Sequence, residues 1–484
     1  MLPELARGLL VEYLCAIHRE NSSLSLKSNL VPSGASIDVS GDKPSAGDYG
    51  CVEIANTLAL LAFAATEVAA YPKLAAEHAE RLAKSQIGKR STAARGTLHK
   101  RTSFDAALQY VNTTGENAFV PPDFDAGDVR GPCPGLNAAA NHGYIPHNGV
   151  GAIDDFISGT NAAYGMALDL GGFLAIYGAV FDGNLLAWSI GGPTSEASLP
   201  LSNLLGLTGQ PQGISGSHNK YETDTSPTRP DLYLAGQSFD VEVELFQKYY
   251  DALIEGAGAD EQYQGLLDFR KDRFNNSITT NPYFFFSPVA GVLVSGAGYN
   301  LPVRLMSNKS AEFPEGSLTK RDLMSFFAIT GESGNFQYTP GHERIPDNWY
   351  KRAIGDEYTI ASFLVDVIDF AVQYPPLLDI GGNMGEPNTF SPVDLGNLTK
   401  GVFETGSLLE GNNLECFVFQ AAQLALPDVA GGTITSIGNA IQPFSDTVVQ
   451  RLLGLGCPQL EGIDETTLAN FPGYSNCKNG CSSY

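Results

Sequence analysis

The sequence predicts a mostly α-helical protein with one large domain, and three observations support this prediction. Apolar residues recur at helical spacing in several long segments, and few segments alternate with the period of a half-buried strand. No internal repeat is visible, which excludes a solenoid or a propeller. Hydrophobic residues make up 43% of the 484 residues, enough for a sizeable core. We place this domain at residues 105–470.

The helical segments follow one another along the chain between irregular, glycine- and proline-rich stretches. Apolar spacing predicts helices at 153–180, 239–256, 259–273, 319–332, 357–373, 407–424 and 439–454. In segment 319–332 the residues at positions i, i+3, i+4 and i+7 form one apolar face, made of Leu323, Phe326, Phe327 and Thr330.

The N-terminal part of the chain has the composition of targeting and linker segments. Segment 57–70 contains an apolar run followed by Val68 and Ala70, which occupy the −3 and −1 positions of a cleavage site. We therefore interpret residues 1–70 as an extension that contains a signal peptide. Residues 71–104 are polar and alanine-rich, and we interpret them as a linker or propeptide-like segment. The alternative is that the apolar run is an ordinary buried helix.

Charge and cysteine content narrow the function classes. The chain has 29 Lys and Arg against 53 Asp and Glu, a formal net charge of −24, which repels nucleic acid and anionic lipid. No segment approaches the ~18–20 consecutive apolar residues of a membrane helix. Four of the seven cysteines lie in the last 69 residues, two of them, Cys477 and Cys481, in a tail at 471–484 and close enough to pair. These cysteines favour a secreted protein, as do N-x-[ST] sequons at Asn112, Asn275, Asn308 and Asn397.

A solitary cysteine, Cys133, lies in the segment RGPCPGLNAAANHGYIP. Pro134 suits the first position of a helix, because it needs no N–H group there. The next residues would then direct free first-turn N–H groups at the sulfur. We expect these groups to lower the pKa of the thiol and favour a thiolate. Such a thiolate suits a nucleophile, a disulfide partner or a metal ligand, and the alternative is a buried structural cysteine.

The same segment resembles the proximal loop of the fungal haem-thiolate peroxidases, the chloroperoxidase and unspecific-peroxygenase family. The resemblance covers roughly residues 105–460 and implies a single helical domain that encloses a haem b group. It implies that Cys133 is the axial ligand of the haem iron, where a thiolate favours O–O cleavage. Cys416 and Cys457 resemble the pair that staples the C-terminal part of long-form members.

A second segment, HNKYETDTSPTRPD, resembles the Glu-x-Asp motif of this family. The resemblance implies that Glu222, the backbone carbonyl of Thr223 and the Ser226 hydroxyl hold Mg²⁺ beside a haem propionate. Hard oxygen ligands at short spacing are those that Mg²⁺ prefers. Arg229 and Asp231 would brace the loop. The alternative is a solvated acidic turn.

The family's third element is a glutamate above the haem. The segment FFAITGESGNFQ precedes GHERIPDNWYKR, which resembles a family signature that follows the catalytic glutamate. This order predicts Glu332 as the acid–base residue, which takes a proton from H₂O₂ and returns it to the departing oxygen. Glu343 is the competitor, and we interpret it as structural. Thr223 and Ser325 stand where the family has a histidine or an arginine, so either Glu332 lacks its usual partner or His218 substitutes for it.

These features predict a secreted haem-dependent peroxidase or peroxygenase that uses H₂O₂ to oxygenate or oxidise apolar or aromatic organic molecules. Halide oxidation and a catalytically weak haem-binding protein are the alternatives. A hydrolase that uses Glu222 with Asp224 or Glu332 is a further alternative, but it leaves the Cys133 segment unexplained. Four aromatic side chains flank Glu332 and are either channel lining or plain core: Phe326, Phe327, Phe336 and Tyr338.

Overall fold

Helices dominate the structure, a computed structural model that describes residues 104–184, 186–195, 197, 211–424 and 457–477. The helices of seven or more residues that the chain forms within these ranges are α1 Pro134–Asn141, α2 Ile153–Tyr164, α3 Leu168–Phe181, α4 Val243–Ala252, α5 Ala259–Thr280, α6 Ser295–Leu305, α7 Lys320–Phe326, α8 Ile360–Gln373 and α9 Asn413–Leu424. Shorter helices are Ala106–Gln109, Leu232–Ala235, Leu395–Leu398, Glu465–Leu468 and Pro472–Cys477. The mostly α fold class is confirmed. The proposed signal peptide, residues 71–103, the predicted helix at 439–454 and Cys481 lie outside the described residues.

Strands are short and all of their pairings are antiparallel. They are β1 Val150–Ala152, β2 Ala187–Ser189, β3 Phe285–Phe286, β4 Ile329–Glu332, β5 Asn335–Tyr338, β6 Gly381–Gly382 and β7 Ser391–Pro392. Strand β1 pairs with β2, β6 lies between β3 and β7, and β4 and β5 form a hairpin. These pieces connect helices and do not form a sheet that could carry a core.

The predicted helix 153–180 is two helices, α2 and α3. Gly165 ends α2 with a left-handed φ of +70°. A side chain at this position would bring its Cβ within 2.8 Å of Cβ of Arg352. The break therefore depends on a glycine that accepts positive φ and on a close neighbour that helical spacing alone does not reveal.

The predicted helix 319–332 is wrong beyond Phe326. Thr319 caps α7 by accepting the N–H of Asp322 at 3.1 Å, but the backbone then turns at Ala328, whose φ is +53°. Residues 329–332 continue as strand β4, and Gly331 has a φ of +91°. Left-handed residues interrupt an α-helix, so Glu332 does not share a helix with Phe326.

The helix packing places the start of α1 against the centre of the structure. Helix α1 contacts α2 and α7, α2 packs along α3, and α6 packs against α5 and α8. The side chains between them form one hydrophobic core that includes the fully buried Trp188 and Trp349. A disulfide joins Cys416 to Cys457, which confirms the predicted pair. None of the described helices combines the length and the apolar character that crossing a membrane requires.

Candidate active site

One cavity brings together side chains that are about ninety residues apart in the sequence. It contains about 1180 Å³ of space, counted out to its open mouth. Cys133 lines this cavity, and so do Glu222, Thr223 and Ser226. The sequence predicted these four residues for one site, and they share one cavity. Glu332 is not part of its lining.

The cavity walls are mostly apolar, and small residues on two helices make the space. Leu174 of α3 and Leu301 of α6 face the cavity together with Gly171, Ala175, Ala297 and Gly298. These wall positions were not predicted from the sequence, although their spacing of three and four residues places them on one face of each helix. Among the four aromatic residues that flank Glu332, Phe327 lines this cavity, and the other three are absent from its lining.

Cys133 lies at the start of α1, as its sequence predicts. It is the N-cap residue of the helix, Pro134 occupies the first turn, and the N–H of Asn137 donates to the carbonyl of Cys133 at 3.1 Å. The backbone N–H groups of Leu136 and Gly135 lie close enough to the thiol to lower its pKa. The thiol forms no disulfide with any described cysteine. The first turn of α1 thus presents a free sulfur to the cavity.

The predicted fall in the pKa of this thiol is wrong for the protein alone. Burial raises the pKa of Cys133, and this outweighs the two N–H groups and the positive charge of Arg229, which lower it. Although the residue is partly open to the cavity, surrounding protein shields its sulfur from bulk water. A thiolate at this position therefore needs a cation bound directly to the sulfur.

Two asparagines on one face of α1 fix the loop that leads into Cys133. The Asn137 side chain accepts the N–H of Gly131 at 3.0 Å and donates to the carbonyl of Gly131 at 2.8 Å. The Asn141 oxygen accepts from two nitrogens of Arg130, at 3.0 and 2.6 Å. The Asn141 amide nitrogen donates to the carbonyls of Gly341 and Glu343. The sequence pattern assigned no role to these two asparagines. Their i, i+4 spacing, which places both side chains on one face of the helix, was the signal that could have identified them.

The Glu222 motif is buried rather than solvated. His218 donates to Glu222 at 2.6 Å and lies 3.6 Å from Asp224. Burial lowers the pKa of His218, but the two carboxylates outweigh it and raise this pKa to about 9. His218 is thus committed to this loop, and its contacts do not support its role as the partner of Glu332. The Thr223 hydroxyl is buried and has no hydrogen-bond partner within the described part of the chain.

Asp224 and Asp231 brace the loop and are absent from the cavity lining. Asp224 accepts the N–H of Leu232 at 3.1 Å and the Asn281 amide at 3.0 Å. Asp231 accepts from Arg273 at 3.1 Å. Because Asp224 is bound in this network and Glu332 is exposed, neither forms a carboxylate pair with Glu222 in the cavity. The hydrolase alternative therefore has no site here.

The predicted magnesium donors fit a cation with hard oxygen ligands. One carboxylate oxygen of Glu222 accepts the hydrogen bond from His218, and the other oxygen accepts none from the described residues. Ser226 and the residue Thr223 line the same cavity. A carboxylate, a carbonyl and a hydroxyl are a donor set that Mg²⁺ accepts when water completes its shell.

Glu332 lies at the tip of the β4–β5 hairpin and is exposed. It pairs across the hairpin with Asn335. The tip is attached to α4, because Gln247 donates to the Ser333 hydroxyl at 2.9 Å and accepts the N–H of Gly334 at 2.8 Å. The structure does not bring Glu332 to the cavity, and its acid–base role stays a prediction.

The residues around Cys133 fit a haem group. A free sulfur with two N–H neighbours suits an axial iron ligand, and apolar walls suit the porphyrin face. Among the described residues that line this cavity, Glu222 is the acidic one. The soft sulfur would hold haem iron, and the hard oxygens in the same cavity would hold a hard cation.

Comparisons with known proteins agree with this arrangement. Residues 117–354 match the family model described as Peroxidase, family 2. The aromatic peroxidase fscJ of Fusarium equiseti is 38% identical over 411 residues, 84% of this chain and 93% of that protein. The dothistromin biosynthesis peroxidase dotB of Dothistroma septosporum is 38% identical over 427 residues, 87% of this chain and 98% of that protein. An aromatic peroxygenase of Coprinellus radians is 37% identical over 172 residues, 33% of this chain and 60% of that protein.

The matched region contains both the Cys133 loop and the Glu222 motif. Two relatives align along most of their own length, so the similarity extends well beyond the region that the family model matches. The chain therefore belongs to peroxidase family 2, the fungal haem-thiolate peroxidases, and is a haem-dependent peroxidase.

Proposed function

We propose that this protein uses H₂O₂ to oxidise or oxygenate an aromatic or other apolar organic molecule in the cavity beside Cys133. The observation that carries this proposal is the free Cys133 sulfur, which faces the same cavity as the oxygen donors of the Glu222 motif. Cys133 would hold the haem iron, and the haem would supply the activation of peroxide.

The residues of this chain have separate tasks in the reaction. The N–H groups of Gly135 and Leu136 share the negative charge of the sulfur and protect it from becoming too basic. Glu222, the Thr223 carbonyl and Ser226 would hold Mg²⁺ and so offset the charge of a propionate. The apolar walls bind the organic substrate and exclude water.

Proton transfer to and from the peroxide requires an acid–base residue. The resemblance assigns it to Glu332, which must come within hydrogen-bond reach of the peroxide to act. Since Glu332 is exposed and outside the cavity lining, this arrangement gives specific support to the alternative of a catalytically weak haem-binding protein.

The substrate class follows from the walls and from the relatives. Relatives are named aromatic peroxidase and aromatic peroxygenase, and one is named for the biosynthesis of dothistromin. Binding to apolar cavity walls is more favourable for an aromatic ring, which buries apolar surface, than for a hydrated halide ion. We therefore favour an aromatic metabolite over halide. We also propose secretion, because the Cys416–Cys457 disulfide suits an oxidising compartment.

One preparation tests the proposal. The protein is expressed with haem supply, and its ferrous–CO spectrum and H₂O₂-dependent turnover of phenolic and polycyclic aromatic compounds are measured. We expect a thiolate-type CO spectrum and peroxide-dependent products. A thiolate spectrum without turnover would favour the haem-binding alternative, and protein that does not retain haem would contradict the proposal.

A further inference from the structure

Arg229 and Glu343 form a buried ion pair beside the Cys133 loop, and neither side chain is among the predicted metal ligands. Arg229 is 2% exposed and Glu343 is 0% exposed. Their nearest charged atoms, Nη2 of Arg229 and Oε1 of Glu343, are 4.0 Å apart. Neither carboxylate oxygen, nor this nitrogen, has a hydrogen-bond partner among the described residues.

Such an arrangement costs stability. Charges taken out of water are compensated only when their geometry is good and their remaining hydrogen-bonding atoms are satisfied. The same protein achieves this elsewhere, because Arg304 makes two hydrogen bonds of 2.9 Å to Asp366 in the core. The Arg229–Glu343 pair lacks such bonds, so its position is not explained by stability alone.

The pair lies next to the sulfur and is connected to its loop. Nε of Arg229 donates to the carbonyl of Pro132, the residue before Cys133, at 3.2 Å. The backbone carbonyl of Glu343 accepts from Asn141 of α1. Arg229 lines the same cavity as Cys133 and Glu343 lies beside Arg229, so the positive charge favours negative charge on the sulfur and the carboxylate opposes it. The two side chains thus act in opposite directions on one atom.

We propose that Arg229 and Glu343 are positioning residues that set how strongly the Cys133 sulfur donates electrons to bound iron. Arg229 anchors the peptide before Cys133 and withdraws charge from the sulfur. Glu343 limits that withdrawal. The proposal rests on haem ligation by Cys133.

The test is the midpoint potential of the ferric–ferrous couple in the full-length holoenzyme. It is measured at pH 8, because burial raises the pKa of Glu343 to about 7, against the effect of Arg229, and the carboxylate must be ionised. We expect Glu343→Gln to raise the potential, since a negative charge near the iron is lost, and Arg229→Met to lower it. In an effective dielectric constant near 20, loss of one unit charge changes the equilibrium constant for reduction about tenfold. The change favours reduction in Glu343→Gln and opposes it in Arg229→Met. Arg229→Lys keeps the charge and should restore most of the Arg229→Met shift.

Matched controls separate this role from a structural one. Glu386→Gln removes an exposed carboxylate and Arg344→Met removes an exposed guanidinium, and both should leave the potential unchanged. Every variant must show the thiolate-type CO spectrum of a folded holoenzyme. An unchanged potential in either Glu343→Gln or Arg229→Met overturns the proposal. If instead Cys133→Ala keeps the thiolate-type spectrum, the proposed haem ligation fails, which is a different result.

Discussion

The loop at the start of α1 and the β4–β5 hairpin differ in how the fold holds their polar groups. In the loop, the buried side chain of Asn137 binds the backbone of Gly131 just before Cys133, and the buried side chain of Asn141 binds the carbonyl of Gly341. In the hairpin, Glu332 is exposed, and Gln247 holds the tip through contacts at the protein surface. A reacting group needs neighbours that lock its position, and the loop supplies buried ones whereas the hairpin tip has surface contacts.

The largest expected effect comes from removing the sulfur. Cys133→Ala should abolish the thiolate-type ferrous–CO spectrum and most haem retention, because Cys133 is the cysteine that lines the cavity and Cys416 and Cys457 are joined in a disulfide. Ser333→Ala in the hairpin is the matched control and should leave the spectrum unchanged. Absorption and haem content after purification provide the measurement. A thiolate-type spectrum in Cys133→Ala would remove the contrast between the two regions.

The next effect concerns the asparagine that joins the loop to residues 341–343. Asn141→Ala leaves two nitrogens of Arg130 and two buried carbonyls without partners, so we expect a loss of roughly 3–5 kcal/mol in the free energy of unfolding. Asn335→Ala in the hairpin is an exposed control, and its change should stay within about 0.5 kcal/mol. Urea unfolding of both variants gives the comparison. Equal losses would show that the loop is no more rigidly held than the hairpin.

The Glu222 motif should be held by buried contacts, as the loop before α1 is, and the pH dependence of the free energy of unfolding tests this. The pKa of His218 is about 9 in the folded protein against an ordinary value of 6.5, so its charged form stabilises the fold. This contribution is fully present below pH 6.5 and is lost as the pH rises through 9, by up to about 3 kcal/mol. His218→Gln should flatten the decline between pH 7 and 9 in metal-free protein, measured by urea unfolding. An unchanged slope would place His218 outside this ion-pair cluster. His147→Gln, partly exposed, is the control.

The difference between the regions also explains which features could be predicted from sequence. The geometry around Cys133 is local, because Pro134 and the next N–H groups define the helix start that presents the sulfur. Glu332 was predicted because its segment precedes GHERIPDNWYKR, and the turn at Ala328, which the sequence pattern did not reveal, places it on an exposed hairpin. The cavity face of α6 depends on tertiary packing, since small residues at helical spacing are equally typical of close helix contacts. The sequence therefore predicted four residues that share the cavity, Cys133, Glu222, Thr223 and Ser226, but not the apolar walls around them.

The smallest expected effect is the one that separates the two regions most directly. If Glu332 were the acid–base residue, Glu332→Gln would slow peroxide activation by about 10²–10⁴-fold. Its exposed position on the hairpin leads us to expect less than about a twofold change, since a group outside hydrogen-bond reach transfers no proton in the reaction. Stopped-flow mixing of ferric protein with H₂O₂, followed at the haem absorption band, measures the rate. A loss of a hundredfold would mean that the hairpin reaches the cavity during the reaction, and the acid–base role predicted from sequence would be restored.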